Sequence, residues 1–267
     1  VTFSEVLTAA VAEMSRAGYQ SEAQVQGWLQ RIRYAAQAEM ISDAGVLEQM
    51  RMAMGAVYQR ETARGFSETN PGVGRFTVQM LTPRMQAEME RRVRASADLI
   101  KLNKQEAVER TLSRFQGWCT SIPKGGSDVV DKRAIKAELA KPTREVRYQA
   151  RRVSIDQGAK LTSALSEIVA QASGAIAGKW RHIAPRAGYQ PRRAHVERNG
   201  LFYAVRGCWA IEQGLMKAVW GYTDEITAPA EEVFCSCKYV WISTLANLPD
   251  EMLTVRGREY LVAQRAA

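Results

Sequence analysis

The feature that most restricts this chain is a change of apolar period near Gly178. Before it, apolar residues return at helical spacing. Phe3, Leu7, Ala10 and Met14 fall at i, i+4, i+7 and i+11, along one face of a 3.6-residue turn. Val25, Leu29 and Ile32 repeat the pattern. So do Val46, Met50, Met54 and Val57, and then Val108, Leu112 and Phe115 within a charged segment from about Met85 to Gln116. Beyond Gly178 the blocks KWRHIA, LFYAV and CKYVWIS are short, aromatic and β-branched, bounded by polar, Gly or Pro turns. That texture belongs to strands. Helices first and strands last define an α+β chain: a mainly helical N-terminal half, then a C-terminal domain of helices plus a small β-sheet.

Punctuation divides the helical part. Gly18 reads as a stop, and Ser21 with Gln24 as a capping box for the next helix. NPGVG (Asn70 to Gly74) is a turn cluster, and SIPKGGSD (Ser121 to Asp128) a linker. A short helix is expected over Asp131 to Ala140, a break at Lys141-Pro142-Thr143, and a new helix capped by Thr143. The expected organisation is therefore a helical region over 1–122, a linker and short helix over 123–142, and a C-terminal domain over 143–267.

With 37 Lys and Arg against 28 Asp and Glu, the chain carries a net charge of +9. Such an excess suggests a polyanionic partner where it is clustered. Arg144, Arg147 and Arg151 stand at i, i+3 and i+7 with Arg152 beside them. This face suits phosphate contacts, and it reads equally as a solvated surface or as arginines paired with acids elsewhere. Charged residues interrupt every apolar run well short of the roughly 18 residues that a membrane helix needs, so no membrane partner is expected. The opening VTFSEVLTAAVAEMSRAGY lacks the basic head of a secretory signal. Four cysteines in 267 residues make no disulfide scaffold, which points to a reducing compartment.

Two of those cysteines, Cys235 and Cys237 in EEVFCSCKYVWI, stand one residue apart. With His195 they form a candidate metal set; Cys208 or Asp224 is the candidate fourth ligand, and Glu197 and Glu225 stand in reserve. Thiolates and imidazole are the donors zinc prefers, so zinc is the candidate cofactor. A packed pair of reduced thiols, or a disulfide such as Cys208 with Cys235, remains open beside it, since free cysteine is commonly buried. His195-Val196-Glu197 ahead of the cysteines echoes the H-x-E…P-C-x-x-C signature of zinc deaminases. The pair here is C-x-C, however, and Phe234 stands where the proline should. The sequence has no nucleophile elbow, phosphate-binding loop or H-E-x-x-H. Its two histidines offer little for acid–base chemistry, so no catalytic residues are assigned and no enzyme is expected. His182, beside Trp180, reads as a structural residue in a strand.

Taken in order, Trp180, then Pro191, Arg192 and His195, then Asn199, Gly200 and Phe202, and finally Pro229, Glu231 or Glu232, Cys235 and Cys237 resemble the core pattern of the Mu F-like phage head morphogenesis family, the minor head proteins of tailed bacteriophages. The likeness covers about residues 143–245. Ser236 replaces the family's usual Arg between the cysteines, APAEE stands for the usual Pro-Gly-Glu, and Gly188 lies near the position of an Asp that many members carry. The resemblance implies a non-enzymatic virion protein in the capsid interior or at the portal vertex, made in the host cytoplasm. It implies roles in head assembly and in DNA packaging or release. The implied partners are the portal protein, the major capsid protein and the double-stranded DNA genome. It further implies that His195, Cys235 and Cys237 converge to staple a small sheet. A free-standing nucleic-acid-binding protein and a zinc-dependent enzyme or toxin domain are the rival readings.

Overall fold

The computed structural model describes residues 1–63, 75–127, 129–183 and 190–266. The expected turn at Asn70 to Gly74, Asp128 and Gly188 lie outside the described residues. In chain order the elements are α1 (Phe3–Ala17), α2 (Glu22–Glu39), α3 (Asp43–Ala63), α4 (Arg75–Ser121), α5 (Lys132–Ala172), β1 (Ala177–Arg181), α6 (Arg193–Glu197), β2 (Phe202–Ala204), α7 (Trp209–Glu212), β3 (Lys238–Ile242) and α8 (Val255–Ala266). Short 3-10 turns at Leu245–Asn247 and Asp250–Met252 separate β3 from α8. The fold is thus mainly helical α+β with one small sheet, as the change of period implies.

The chain divides into two compact units, Val1–Met50 with Arg94–Ser154, and Arg51–Val93 with Ile155–Ala267. Helices α3, α4 and α5 each contribute residues to both, so the units do not follow the expected boundaries at 122 and 142. In the first unit, α1 buries Phe3, Leu7, Ala10 and Met14 against Val25, Trp28 and Ile32 of α2 and Val108, Leu112 and Phe115 of α4. Each large apolar side chain so buried contributes roughly 1.5–3 kcal/mol. Thr2 starts α1 with a full capping box: its hydroxyl accepts the Glu5 amide at 3.2 Å, and its own amide donates to Glu5 Oε2 at 2.8 Å. The segment after Ser121 is no spacer. Gly125 and Gly126 turn it at positive φ, and the Ser127 amide donates to Ser15 O at the end of α1 at 2.7 Å.

The break expected at Pro142 is absent, for α5 runs through it. Proline lacks the amide that would bond to the carbonyl four residues earlier. That carbonyl, Glu138 O, instead accepts from Arg114 Nη1 of α4 at 2.9 Å. Arg144 donates to Ala137 O, and Thr143 Oγ1 donates to Ala140 O at 2.9 Å. Side chains satisfy what the proline frees, and Thr143 is an interior residue rather than a cap.

In the second unit the sheet has the order β2-β1-β3 with both pairings antiparallel. β2 and β3 fall within the blocks expected to form them, whereas β1 starts two residues ahead of KWRHIA and ends at Arg181, which leaves His182 just past the strand. Gly178 faces Tyr203 on one side and Trp241 on the other. A Cβ there would lie 2.8 Å from the Tyr239 ring, so only glycine lets the aromatic side chains of β3 lie across β1. Trp180, opposite Tyr239, shares their face. The C-terminal part of α5 anchors the chain leading into β3. Ser163 Oγ donates to Pro229 O at 2.8 Å, Trp241 Nε1 donates to Ser166 Oγ at 3.2 Å, and Asp156 accepts the Phe234 amide at 2.6 Å.

Candidate metal centre

Phe234 sits at a φ of 57°, a left-handed conformation that costs a side-chain-bearing residue roughly 1–2 kcal/mol. It persists because Asp156, itself bound to Lys160 at 2.9 Å, takes the Phe234 amide. This kink turns Cys235 and Cys237 inward before β3 begins, and both are buried with Trp180 and Tyr203. The cysteines therefore project from the turn ahead of the strand. His195 arrives from α6, a single turn set between Arg192 and the Asn199-Gly200 turn. That turn is fastened to β1, since the Gly200 amide donates to Trp180 O at 2.9 Å and the Trp180 amide to Leu201 O at 2.8 Å.

The three side chains converge. His195 Nδ1 lies 3.5 Å from Cys235 Sγ and 3.6 Å from Cys237 Sγ, and the three donor atoms all fall within 4.8 Å of one another. All three residues are buried, His195 being 2% exposed. Its other nitrogen, Nε2, donates to Glu232 Oε1 at 3.2 Å, and Glu232 Oε2 is held by Arg192 Nε at 2.6 Å. The tautomer that donates from Nε2–H to Glu232 presents the Nδ1 lone pair to both sulfurs. A carboxylate behind a histidine is the usual support of a ligating imidazole. The Trp180 ring meets the imidazole edge-on at 5.5 Å and restricts its tilt.

The sulfurs are supplied with donors. The Cys237 thiol is the largest influence on Cys235 and pulls its pKa well down against burial, with the amides of Cys237 and Ala230 acting the same way. Cys237 is pushed up, first by sharing its proton with Cys235 and then by burial. The Ile183 amide and the Trp180 indole oppose that rise. The Trp180 Nε1 proton meets no acceptor in good hydrogen-bond geometry among the described residues. A buried pair that readily carries negative charge, beside an imidazole lone pair, is what a divalent thiophilic cation requires. The arrangement can hold a metal ion, and the donor set suits zinc.

The other expected ligands lie elsewhere. All four cysteines are free. Cys208 Sγ donates to Ile176 O at 3.6 Å in a separate apolar cluster, which removes both the disulfide and the fourth-ligand expectation. Asp224 is taken by Arg206 at 2.8 Å, and Glu225 by the same guanidinium at 2.6 Å. Glu197, the proton carrier of the deaminase echo, is exposed and paired with Arg193 at 2.7 Å. Two participants escaped sequence reasoning. Glu232 was noticed only as a motif residue, not as the partner of His195. His182, read as structural, places Nδ1 3.4 Å from Cys237 Sγ. Strand alternation was the available signal for it: His182 is two residues beyond Trp180, hence on the same side of the chain.

On the first unit, Arg144, Arg147, Arg151 and Arg152 are all exposed along α5. Arg152 lies over the Tyr148 ring at 5.6 Å, while Arg147 and Arg151 form no ion pair among the described residues. Arg144 and Arg147 also line a cavity of about 890 Å³ shared with Lys104, Arg133 and Lys136, in which Glu39 is the one acidic residue among the described residues. No described helix is long and apolar enough to cross a membrane. Searches against protein-family models, curated proteins and solved structures each give no significant match to this chain.

Proposed function

We propose that this chain is a minor head protein of a tailed bacteriophage, acting without catalysis at the portal vertex in head assembly and in DNA packaging or release. In this reading His195, Cys235 and Cys237 hold zinc as a staple for the small sheet. The observation that carries it is convergence. Trp180, Arg192, His195, Glu232, Cys235 and Cys237 are spread over nearly sixty residues of sequence, and they meet in one cluster. These are among the residues on which the resemblance to the Mu F-like family rests.

The basic face of α5 supports contact with the packaged DNA, because its arginines are exposed and the neighbouring cavity adds further cations. Phosphate contacts of this kind carry no sequence information and weaken steeply with salt. A helical first unit offers a surface for the portal and the major capsid protein. The test is mass spectrometry of purified virions and procapsids of the phage encoding the chain. The protein is expected in both at low copy, and its absence from both particles sinks the reading. The rival of a free-standing nucleic-acid-binding protein predicts the opposite: tight DNA binding by the isolated chain and no incorporation into particles.

A further inference from the structure

Three side chains leave a tetrahedral ion one position short, and what fills that position decides its chemistry. An open fourth site admits water or substrate; a closed one is structural. The candidates read from sequence are both engaged, Cys208 with Ile176 O and Asp224 with Arg206. His182 is not so engaged: one residue past the end of β1, it places Nδ1 3.4 Å from Cys237 Sγ.

We infer that His182 is the fourth ligand, closing a Cys₂His₂ site with His195, Cys235 and Cys237; this rests on the zinc reading above. Zinc–sulfur bonds of about 2.3 Å and zinc–nitrogen bonds of about 2.0–2.1 Å set neighbouring sulfur and nitrogen ligands about 3.5 Å apart in a tetrahedron. Three sulfur–nitrogen separations match that edge, 3.5 Å for Cys235 to His195, 3.6 Å for Cys237 to His195 and 3.4 Å for Cys237 to His182; His182 otherwise stands outside the trio whose donors lie mutually within 4.8 Å, so a turn of its half-exposed side chain completes the tetrahedron. The backbone holds His182 for the purpose. Its amide donates to Asn199 Oδ1 at 3.0 Å, so the end of β1 is tied to the turn that follows α6. The next residue, Ile183, directs its amide at Cys237. Asn199 therefore fixes the relative position of the two histidine-bearing segments, and Arg192 with Glu232 fixes the His195 ring.

Closure has a functional consequence. With both imidazoles and both thiolates bound, no position remains for an activated water, and the ion ties β1, α6 and the approach to β3 together. A hydrolytic or deaminating role is removed at the metal itself.

The test is X-ray absorption at the zinc edge on the full chain, with zinc affinity measured by competition against a chromophoric chelator. The wild type is expected to hold one zinc per chain with two sulfur and two imidazole scatterers. His182→Ala should retain two sulfurs and one imidazole with oxygen in the vacated place. It should lose at least about 100-fold in affinity, the upper end of what outer-shell changes cost. Added imidazole should restore the four-coordinate spectrum, and His182→Cys should bind with three sulfurs. His182 is half-exposed at a strand end, so far-UV dichroism of His182→Ala should match the wild type. A wild-type spectrum with one imidazole and an affinity unmoved by His182→Ala overturns the fourth ligand and leaves a three-residue site. A wild type that takes up no zinc overturns both this assignment and the staple itself.

Discussion

In the first unit the interior between α1, α2 and α4 is apolar almost throughout, from Phe3 and Leu7 to Phe115 and Cys119. Beside β1 the interior instead gathers an imidazole, two thiols and the carboxylate of Glu232 around Trp180. Cysteine makes the contrast sharp. Cys119, packed among hydrocarbon, has its thiol pushed up to about 12 by burial. Cys235 has its thiol pulled down, because a second thiol and backbone amides point at it. The same residue type is a small hydrophobe in one place and a nascent thiolate in the other. A long helical unit has enough apolar area to hold itself together. The three short strands of the second unit pack an apolar face of their own, and a shared ion beside β1 would add a further constraint to it.

On the zinc reading proposed above, the largest expected break in that contrast comes from removing the metal. Structural zinc binds with on the order of 10 kcal/mol. Cys235→Ser or a strong chelator should therefore abolish the near-UV dichroism of the aromatic cluster around Trp180, while the far-UV helix signal stays largely intact. Loss of both signals together would mean that the sheet is no separate concern of the metal. Phe115→Ala, on the apolar side of the comparison, should cost about 3–5 kcal/mol by denaturant unfolding and leave zinc content unchanged. Glu232→Gln comes next. It keeps the shape beside His195 but weakens the acceptor, so zinc affinity should fall about 10–100-fold with stoichiometry intact in excess metal. An unchanged affinity would remove Glu232 from the site.

The legibility of the two regions differs for the same physical reason. The helices follow from local periodicity, because an apolar face repeats every turn whatever it packs against; Phe3, Leu7, Ala10 and Met14 are buried as their spacing requires. Strand texture likewise located all three strands. Pro142 was misread because its remedy is tertiary: the guanidinium that satisfies Glu138 O comes from Arg114, 28 residues before the proline along the chain. His195, Cys235 and Cys237 were legible as a donor set, since few residue types bind zinc. Their fourth partner was not. Cys208 carries the right chemistry in the wrong cluster, and no sequence spacing reveals where α7 leaves it. His182 could be found only by extending the side alternation of β1 one step past its last residue.

The smallest expected effect lies on the rim of the second unit, where charge is exposed rather than enclosed. Arg206 bonds both Asp224 and Glu225 and stacks over the Tyr222 ring at 4.0 Å. The guanidinium's hydrogen bonds are the first cause of the lowered pKa of both carboxylates. A folded-state pKa below the unfolded value means that folding favours the ionised form. The resulting stability is fully present above the ordinary carboxylate range and is lost as pH falls through the lowered values. The wild type should thus lose a little more melting temperature on acidification than Arg206→Ala, and the two curves should converge at the acid end. Because these groups are exposed, 1 M salt should erase the difference. A wild-type advantage in melting temperature that persists at the acid end and in high salt would show that Arg206 acts through its stacking on Tyr222, a contact that neither carboxylate protonation nor screening removes. That outcome would move this corner of the unit from the charged to the packed side of the comparison.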